Sequence, residues 1–585
     1  MNIFEIYRNH VLAAAEAVAP GCKTDAITLE PPRDAAHGDL STNAAMVLAG
    51  QLKQTAAEGT KPPSPRVLAE KIVAQLRAAP EVETVEIAGP GFINIRLAPS
   101  AWQAVIPTIL ADGTSFGNST IGANAAINVE YVSANPTGPM HVGHARGAVY
   151  GDALATLLLK AGYRVTKEYY INDAGAQVEV LAKSALLRYR EACGEAIGDI
   201  PAGLYPGDYL KPVGEALREK FGDSLLREPD EKQIASAQPL AIDSMMALIK
   251  NDLAEMGIHH DVFTSEAALR AKIPDAIALL QKKGHVYRGV LEPPKGEKVE
   301  DWEAQEQLLF RSTTFGDDLD RTIEKADGSR TYFAGDLALT MDKIARGFTA
   351  LIYMFGADHG GYVKRMEASA AALSDGKVEV DIKLCQLVHL TKNGEPVKMS
   401  KRAGTFITVR DVLEEVGKDI LRFVMLMRKT NQDMEFDLEK VKEQSKDNPV
   451  FYVQYAHARA KSVLRLAREQ MPDAFAASAH VNAESVGVLT HPAELALIKL
   501  LAAWPRQVEQ AAVAHEPHRI IYYVEEVAAA FHGLWNVGTK DADIRMLQAD
   551  QPALTTARLA LARATAVVVA SALDVCGVTP VEELR

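Results

Sequence analysis

The sequence contains few cysteines and no long apolar run. Only four cysteines occur in 585 residues, and no two of them form a CxxC pair, which argues against a disulfide framework or a cysteine zinc site. No uninterrupted apolar stretch approaches the roughly 20 residues that cross a bilayer. The N-terminus carries charges within its apolar pattern, which is typical of an amphipathic helix rather than a signal peptide. We therefore expect a cytoplasmic protein with no membrane partner and no structural metal.

Positive charge is also in the minority. The chain has 63 Lys and Arg against 76 Asp and Glu, for a net charge of −13. This balance argues against a nucleic-acid coat protein, although local basic patches can still contact phosphate. With 48% hydrophobic residues, the composition is that of a globular protein, and at about 150 residues per domain the length predicts three to four domains.

The first part of the chain predicts a small α+β domain over residues 1–119. Apolar periodicity predicts helices over 3–18 and 66–78, and two alternating apolar runs around a Gly-Pro-Gly sequence predict a hairpin over 82–97. Glycines and small polar residues over 113–124 indicate the domain boundary.

An α/β pattern follows over 120–395. A strand beginning at 125, a Pro/Gly-rich loop, an amphipathic helix and a second strand form a βαβ unit, which implies a parallel sheet. Strands are expected again within 349–360 and across 382–390. The more charged residues at about 190–330 are interpreted as insertions between the two halves of that sheet.

From about residue 410 the chain is predicted to be almost entirely helical, with a connecting region over 396–446 and a helical domain over 447–585. Four basic residues recur there at helical spacing, and the spacing alone favours an ordinary solvated helix face. These residues are Arg459, Lys461, Arg465 and Arg468.

The sharpest motif is HVGH at 141–144, between a strand and a helix. A helix N-terminus presents unpaired N–H groups and the positive end of a dipole, both of which suit phosphate. Gly143 would allow close approach of a nucleotide. His141 and His144 would stabilise charge that develops at phosphorus. Two loop histidines without chemistry, or a metal pair, remain open from these letters alone.

The second motif is KMSKR at 398–402, on a loop after the strand and turn that precede it. Lys398 and Lys401 could clamp a triphosphate, whereas a solvated basic loop is the ordinary alternative. In this order within one α/β chain, the two motifs together strongly favour nucleotide chemistry.

Together the motifs resemble the HIGH and KMSKS signatures of class I aminoacyl-tRNA synthetases. The longer stretch VEYVSANPTGPMHVGHARGAVYGDAL (129–154) is similar to the signature of the arginyl-tRNA synthetases. Similar segments extend the resemblance over essentially the whole chain: HGDLSTN, GPGFINI, YINDAG, YFAGDLA, GADHGGY, GKDILRFVML and FYVQYAHAR.

The resemblance implies a Rossmann-like class I catalytic domain, an extra N-terminal domain that binds tRNA and an anticodon-binding helical bundle. It also implies the reaction. ATP, bound with Mg²⁺, and arginine give arginyl-adenylate, and the arginyl group passes to the terminal adenosine of tRNA(Arg), with tRNA generally required for the first step. We further expect a monomer.

Residue by residue, the resemblance implies an arginine site built around carboxylates, which suit a guanidinium. A strand-edge Glu130 and an N-cap Asp336 would be the structural alternatives. The implied arginine-binding residues are Glu130, Ser133, Asn135, His144, Tyr332, Asp336 and His359. The role of His359 is left open, because some family members carry glutamine nearby.

The resemblance implies ATP binding and catalysis for residues of HVGH and KMSKR, and ATP binding also for two residues of GADHGGY. The catalytic residues are His141, His144, Lys398 and Lys401, and the additional ATP-binding residues are Gly143, Gly356, Asp358, Met399 and Ser400. Arg402 replaces the final serine of the signature.

The helical domain carries candidate tRNA contacts through stacking and hydrogen bonding. These are Tyr452, Gln454, Tyr455, His457, Arg459 and Trp535. Phe531 and Asn536 form a second candidate group with Trp535, although aromatic residues at helical spacing are more often core.

Other classes fit less well. A small nucleotidylyltransferase would be shorter, and a non-catalytic paralogue would not need both motifs and both carboxylates. Within class I, enzymes for cysteine or methionine would show zinc-ligand cysteines, and enzymes for branched aliphatic amino acids a larger editing insertion. A glutamate or glutamine enzyme would need a cationic pocket.

Overall fold

The computed structural model describes residues 2–56, 61–291, 305–397 and 407–584. The first unit is an α+β layer whose antiparallel sheet has the order β1-β2-β4-β3. Its elements are α1 (Ile3–Val18), β1 (Leu29–Glu30), β2 (Leu40–Thr42), α2 (Ala44–Thr55), α3 (Pro65–Leu76), β3 (Val82–Ala88) and β4 (Phe92–Leu97). The Asn2 side chain caps α1 by accepting from two backbone N–H groups. The predicted first helix and hairpin are both present.

Two short helices, α4 (Pro99–Gln103) and α5 (Val105–Asp112), lead to a five-stranded parallel sheet with the order β12-β11-β5-β6-β7. Its strands are β5 (Ala126–Glu130), β6 (Arg164–Ile171), β7 (Val262–Ser265), β11 (Ala350–Gly356) and β12 (Glu379–Cys385). All five residues of β5 are buried, as expected for a central strand. Strand order reverses between β5 and β11, and open α/β sheets bind ligands at such a point.

The helices of this region pack around the sheet or build the insertion. They are α6 (Val142–Lys160), α7 (Ala176–Ala192), α8 (Lys211–Phe221), α9 (Asp230–Glu255), α10 (Glu266–Leu269), α11 (Ile273–Lys282), α12 (Tyr332–Ala345) and α13 (Val363–Ser374). Helix α6 begins at Val142, so HVGH lies at the helix N-terminus, with His141 as the cap and Val142, Gly143 and His144 as the first residues of the helix.

The prediction that 190–330 lies wholly between the halves of the sheet is wrong, because β7 is a strand of the sheet itself. The rest of that stretch includes a small antiparallel sheet of β8 (Val286–Gly289), β9 (Gln307–Phe310) and β10 (Arg321–Glu324). The single strand expected at 382–390 is also wrong. The chain leaves the parallel sheet after β12, and β13 (Val388–Lys392) joins a different sheet.

That fourth sheet pairs β13 with β14 (Glu395–Pro396) and β15 (Met434–Asp437). Helices α14 (Val409–Val416) and α15 (Lys418–Met425) lie between β14 and β15. The region after 410 therefore contains one strand that the helical prediction missed.

The remaining elements form an all-α bundle. They are α16 (Pro449–Gln470), α17 (Pro472–Ala477), α18 (Ala483–Val486), α19 (Pro492–Ala502), α20 (Trp504–Val513), α21 (His518–Lys540) and α22 (Pro552–Val575). Helix α22 is long and apolar enough to cross a membrane, but it packs against α16 and α21. Most of its side chains are buried there, which makes it a core helix of the bundle.

Candidate active site

A cavity of about 850 Å³ opens at the carboxyl end of the parallel sheet, beside the point where strand order reverses. Glu130 ends β5 and pairs in register with Tyr353 of β11, while Gly356 ends β11. All predicted ATP and arginine residues within the described chain line this one cavity. They are Glu130, Ser133, Asn135, His141, Gly143, His144, Tyr332, Asp336, Gly356, Asp358 and His359.

The KMSKR residues Lys398, Met399, Ser400 and Lys401 lie outside the described residues. Thr408, which follows that segment, forms an isolated bridge with His141. The N–H of Val409 donates to the carbonyl of Met140 at 2.8 Å. The chain therefore returns to the HVGH motif directly after the KMSKR loop.

His141 and His144 are arranged by the first turn of α6. The N–H of Gly143 donates to Nδ1 of His141 at 3.1 Å, and the N–H of His141 donates to Nδ1 of His144 at 3.3 Å. The two rings stack with centroids 3.8 Å apart. Because each Nδ1 accepts a hydrogen bond, the ring proton of each neutral imidazole lies on Nε2. Both rings thus carry a donor at the N-terminus of a helix, where an anion is favoured.

The turn after β5 is strained and tightly held. Val132 and Ser133 have φ angles of +72° and +40°, which are costly for residues other than glycine. The Ser133 hydroxyl donates to Oε1 of Glu130 at 3.2 Å and accepts from the N–H of Tyr170 at 3.0 Å. Asn172 donates to the carbonyl of Ser133 at 2.9 Å. These bonds fix the wall of the cavity that leads to Asn135.

Glu130 is not the exposed strand-edge residue that was the structural alternative. It is buried, and its Oε2 accepts from the ammonium of Lys343 at 2.6 Å. Burial raises the pKa of Glu130, and Lys343 counteracts part of that rise. Burial also disfavours the charged form of Lys343, but Glu130, Tyr353 and Glu168 together outweigh it and raise the pKa of Lys343 to about 12. The two side chains form a buried ion pair beneath the cavity.

Asp336 differs from Glu130 because one of its buried oxygens has no hydrogen-bond partner. It lies in the second turn of α12, past the N-cap at Thr331, so it is not the helix cap that was its structural alternative. Its Oδ2 is buried and has no hydrogen-bond partner. Burial raises the pKa of Asp336 to about 7, the charge of Glu130 adds to the rise, and Arg365 offsets part of it. A buried carboxylate oxygen without a donor is costly unless a ligand supplies one.

The sequence prediction missed several side chains of the cavity, among them Glu266, Gln386 and Tyr170. Glu266 begins α10 directly after β7, at the same edge of the sheet, and burial raises its pKa. Gln386, just past β12, and Tyr170, at the end of β6, also line the cavity. The only signal for Glu266 was the short alternating run before it, inside a stretch interpreted as an insertion.

Gly356, Asp358 and His359 follow the end of β11. A Cβ on Gly356 would lie 2.5 Å from Oδ1 of Asp358, so a larger residue there would displace the Asp358 side chain. The rings of His359 and Tyr362 are 5.6 Å apart. Within the described residues, no group of three or more His, Cys, Asp or Glu side chains is arranged to hold a metal ion.

The candidate tRNA residues of the helical domain, on α16 and α21, separate into two groups. Tyr452, Tyr455, Arg459 and Trp535 are partly accessible, and the Arg459 guanidinium lies 4.1 Å and 5.0 Å from the ring centroids of Tyr455 and Trp535. Gln454 and His457 are buried against the C-terminal tail. Gln454 donates to the carbonyl of Thr579 at 2.9 Å, and Nδ1 of His457 lies 2.8 Å from the carbonyl of Val581.

The prediction of tRNA contacts at Gln454 and His457 is therefore corrected, because both side chains are enclosed by the protein. Phe531 is likewise a core residue, whereas Asn536 is exposed.

Comparisons with known proteins agree with this arrangement. Family models match residues 5–97 (arginyl tRNA synthetase N terminal domain), 105–206 (tRNA synthetases class I (R), catalytic domain), 369–450 (tRNA synthetases class I (M)) and 453–584 (DALR anticodon binding domain).

Similar whole proteins are also known. The chain is 55% identical to an arginine–tRNA ligase of Parvibaculum lavamentivorans over 100% of both chains. It is 56% identical to that of Rhizobium meliloti over 96% of this chain and 94% of the other. The solved arginyl-tRNA synthetase of Thermus thermophilus has the same fold, with a TM-score of 0.70 at 18% identity over 99% of this chain and 100% of the other.

Proposed function

Because this chain belongs to the arginyl-tRNA synthetase family and is an arginine–tRNA ligase, we propose that its 850 Å³ cavity binds arginine and ATP side by side. The enzyme joins arginine to tRNA(Arg) through an arginyl-adenylate. The observation that carries the proposed site is the unpartnered Oδ2 of Asp336, which shares one cavity with the histidine pair at the N-terminus of α6.

Arginine is recognised by the acidic side of the cavity. Asp336 receives the guanidinium, because its buried oxygen lacks a donor and a guanidinium supplies donors in a rigid fork. Glu266 is the second carboxylate at this end. Tyr332, which is 75% exposed at the rim, covers the side chain of the substrate. Ser133 and Asn135 hold its amino and carboxylate end.

ATP occupies the side of the cavity bounded by α6 and β11. His141, Gly143 and His144 meet the phosphates at the helix N-terminus, and the two Nε2–H groups stabilise charge that grows as pyrophosphate leaves. The adenosine of ATP lies beside Gly356, Asp358 and His359. Lys398, Met399, Ser400 and Lys401 complete the phosphate site, and the return of the chain at Thr408 to His141 supports that placement. Mg²⁺ enters with the ATP phosphates.

With arginine and ATP placed side by side, the reaction proceeds in two steps. A carboxylate oxygen of arginine attacks the α-phosphorus, and the bond to the β-phosphate breaks, so pyrophosphate leaves. A ribose hydroxyl of the terminal adenosine then attacks the arginyl carbonyl carbon, and AMP leaves. The residues of the cavity act by orienting the reactants and by stabilising charge.

The tRNA is held at both ends of the chain. Residues 1–119 and the helical domain 447–585 flank the catalytic domain 120–395 and the connecting region 396–446. The anticodon end meets Tyr452, Tyr455, Arg459 and Trp535, which combine partly accessible rings with a cation. We place the enzyme in the cytoplasm as a monomer.

Pyrophosphate exchange with each of the twenty amino acids, with and without total tRNA, tests the proposed function. We expect exchange with arginine alone, and only when tRNA is present. Exchange with a different amino acid would overturn the specificity of the site.

A further inference from the structure

One buried histidine, His532 of α21, packs against the candidate tRNA contacts of α16. Its side chain is enclosed, with 3% of the residue exposed. The centroid of its ring lies 4.4 Å from that of Tyr452 and 5.3 Å from that of Tyr455. The function proposed above gives His532 no role, because an enclosed imidazole does not touch a ligand.

The hydrogen bonds of His532 settle where its ring proton lies. Nδ1 is 2.7 Å from Nη1 of Arg459, and Nε2 is 3.1 Å from the carbonyl oxygen of Tyr452. A guanidinium offers only donors and a carbonyl only accepts, so Nδ1 accepts from Arg459 and the Nε2–H donates to Tyr452. Burial lowers the pKa of His532, the bond to Tyr452 offsets part of this, and the charge of Arg459 adds to the lowering. The ring is therefore neutral near neutral pH, and its one acceptor is used by Arg459.

Arg459 is held by further contacts beside this bond. Its Nη2 donates to the Tyr455 hydroxyl at 2.6 Å. The guanidinium carbon lies 4.1 Å from the ring centroid of Tyr455 and 5.0 Å from that of Trp535. In the part of the chain that the structure describes, these hydrogen bonds use only two types of donor, Nη1 and Nη2, so the Nε–H remains for an acceptor on RNA. Arg459 is partly accessible, whereas the histidine that holds it is not.

We propose that His532 is a positioning residue for tRNA binding, which acts by holding the guanidinium of Arg459 in place before the RNA arrives. The proposal rests on the proposed function, in which tRNA meets the helical domain at Arg459. A free arginine side chain loses conformational freedom when it binds, and fixing it beforehand reduces that cost. The ordinary alternative is that the bond only ties α21 to α16, which would change stability and leave the tRNA affinity of the folded protein as it is.

Two amide variants separate the acceptor of His532 from its donor. His532→Asn keeps an oxygen at the position of Nδ1, whereas His532→Gln places its amide at the position of Nε2. Equilibrium binding of tRNA(Arg) to the full chain should be within about two-fold of the wild type for His532→Asn and about five-fold or more weaker for His532→Gln, because a hydrogen bond to a charged group has that order of effect. The matched control is His518→Gln, at a buried histidine about four turns earlier on the same helix, and it should bind tRNA as the wild type does.

A double-mutant cycle shows whether His532 acts through Arg459. Arg459→Met should weaken tRNA binding about ten-fold. Adding His532→Gln to Arg459→Met should then change the affinity by less than about two-fold, because no guanidinium is left to position. Equal losses from His532→Gln in both backgrounds, or equal losses in His532→Asn and His532→Gln, would make His532 a packing residue and overturn the proposal. An unchanged affinity in Arg459→Met would overturn it as well.

Denaturant unfolding of every variant completes the test. A loss of stability in His532→Gln with wild-type tRNA affinity would assign the bond a structural role only, which contradicts the proposal. If His532→Gln is poorly folded, His532→Leu replaces it in the cycle with the same expected losses, since it also lacks the acceptor. Exchange specificity of the wild-type enzyme tests the proposed function separately, so a failed cycle beside exchange with arginine alone would overturn the role of His532 and leave the ligase assignment standing.

Discussion

The ammonium of Lys343 lies 2.6 Å from Oε2 of Glu130, and both side chains are buried at the end of the central strand. The charge of Glu130 is thus balanced within the protein, whereas Asp336 has a buried oxygen without a partner in the same cavity. Glu130 and Asp336 were predicted together as arginine-binding carboxylates. Their surroundings imply different contributions to arginine binding.

Replacing Asp336 by Asn tests the unpaired carboxylate. The change keeps the size of the side chain and removes the charge, so the guanidinium loses a charge-assisted partner at a cost of about 2–4 kcal/mol. The Michaelis constant for arginine should rise roughly thirty-fold or more, with that for ATP little changed. Steady-state exchange with each substrate varied in turn measures both. Equal losses for the two substrates would make Asp336 a structural residue.

Removing Lys343 and Glu130 together tests how much Glu130, whose charge Lys343 balances, contributes to arginine binding. The double variant Glu130→Gln/Lys343→Met removes both charges of the pair, and the nearby buried Glu168 keeps its ion pair with Arg346, so the variant should fold. Lys343→Met alone leaves Glu130 unpaired and should cost about 3–5 kcal/mol of unfolding free energy. The double variant should raise the Michaelis constant for arginine less than ten-fold. A rise as large as that of Asp336→Asn would show that Glu130 also supplies net charge to the guanidinium.

The contrast between these carboxylates marks how far the sequence could predict the site. The family resemblance named Glu130 and Asp336 together, and both line one cavity, but Lys343 is 213 positions from Glu130 and sits in an ordinary helical pattern. Glu266 was missed because β7 has four residues and lies in a charged stretch. The break between β12 and β13 was missed because no glycine or proline marks the turn at Gln386 and Leu387.

Local signals predicted the simpler elements well. Helix α1 has both a polar cap at Asn2 and a one-sided apolar pattern, and its predicted bounds agree with the structure. The local pattern failed, in contrast, for Gln454 and His457. Both are polar residues on a helix that looked like a contact surface, but the C-terminal tail, more than 120 residues later, covers them. Long-range contacts of this kind leave no local trace in a single sequence.

Arginine binding should depend on pH through Asp336, whose pKa is raised to about 7. The ionised carboxylate binds the guanidinium, so affinity should be highest above pH 7 and fall as protonation sets in below it. Burial is the main cause of the raised pKa; the facing charges of Glu130 and Glu266 add to the rise, and Arg365 offsets part of it. One pH unit below the pKa, the affinity should be roughly ten-fold lower.

Calorimetry between pH 6 and 8, in buffers of different ionisation enthalpy, measures both the affinity and the proton released on binding. The Asp336→Asn variant is the control, since it should bind weakly with little pH dependence over this range. An affinity that is flat across pH 6–8 in the wild type would contradict the prediction.

Arg146 connects the HVGH helix to the floor of the cavity. Its guanidinium is fully buried and donates to the carbonyls of Gln386, Lys429 and Gln432 at 2.7–3.0 Å. Arg146→Met would leave these carbonyls without donors, so we expect a loss of about 2–4 kcal/mol in unfolding free energy. Denaturant unfolding measures it. Arg227→Met, which removes only an exposed pair with Asp223, should change stability by less than about 0.5 kcal/mol.

Helix α16 and its basic residues supply the last prediction. Glu582 and Glu583 of the C-terminal tail engage two of its residues, with Lys461 Nζ 2.9 Å from Glu582 and Arg465 Nε 3.5 Å from Glu583. Arg468 is exposed. If tRNA phosphates replace the tail carboxylates, alanine at Arg459, Lys461, Arg465 and Arg468 together should flatten the salt dependence of tRNA binding. Each lost phosphate contact should contribute about 0.7–0.9 to the log–log slope.

Two comparison variants make the salt titration decisive. Glu582→Gln/Glu583→Gln removes the competing carboxylates, so tRNA affinity at low salt should rise, because Lys461 and Arg465 no longer have to leave an ion pair. Alanine at the exposed lysines Lys282, Lys364 and Lys377 of the catalytic domain should leave the slope as in the wild type. A quadruple variant with the wild-type slope would mean that the basic residues form a solvated face closed by the tail, and that tRNA phosphates bind elsewhere on the bundle.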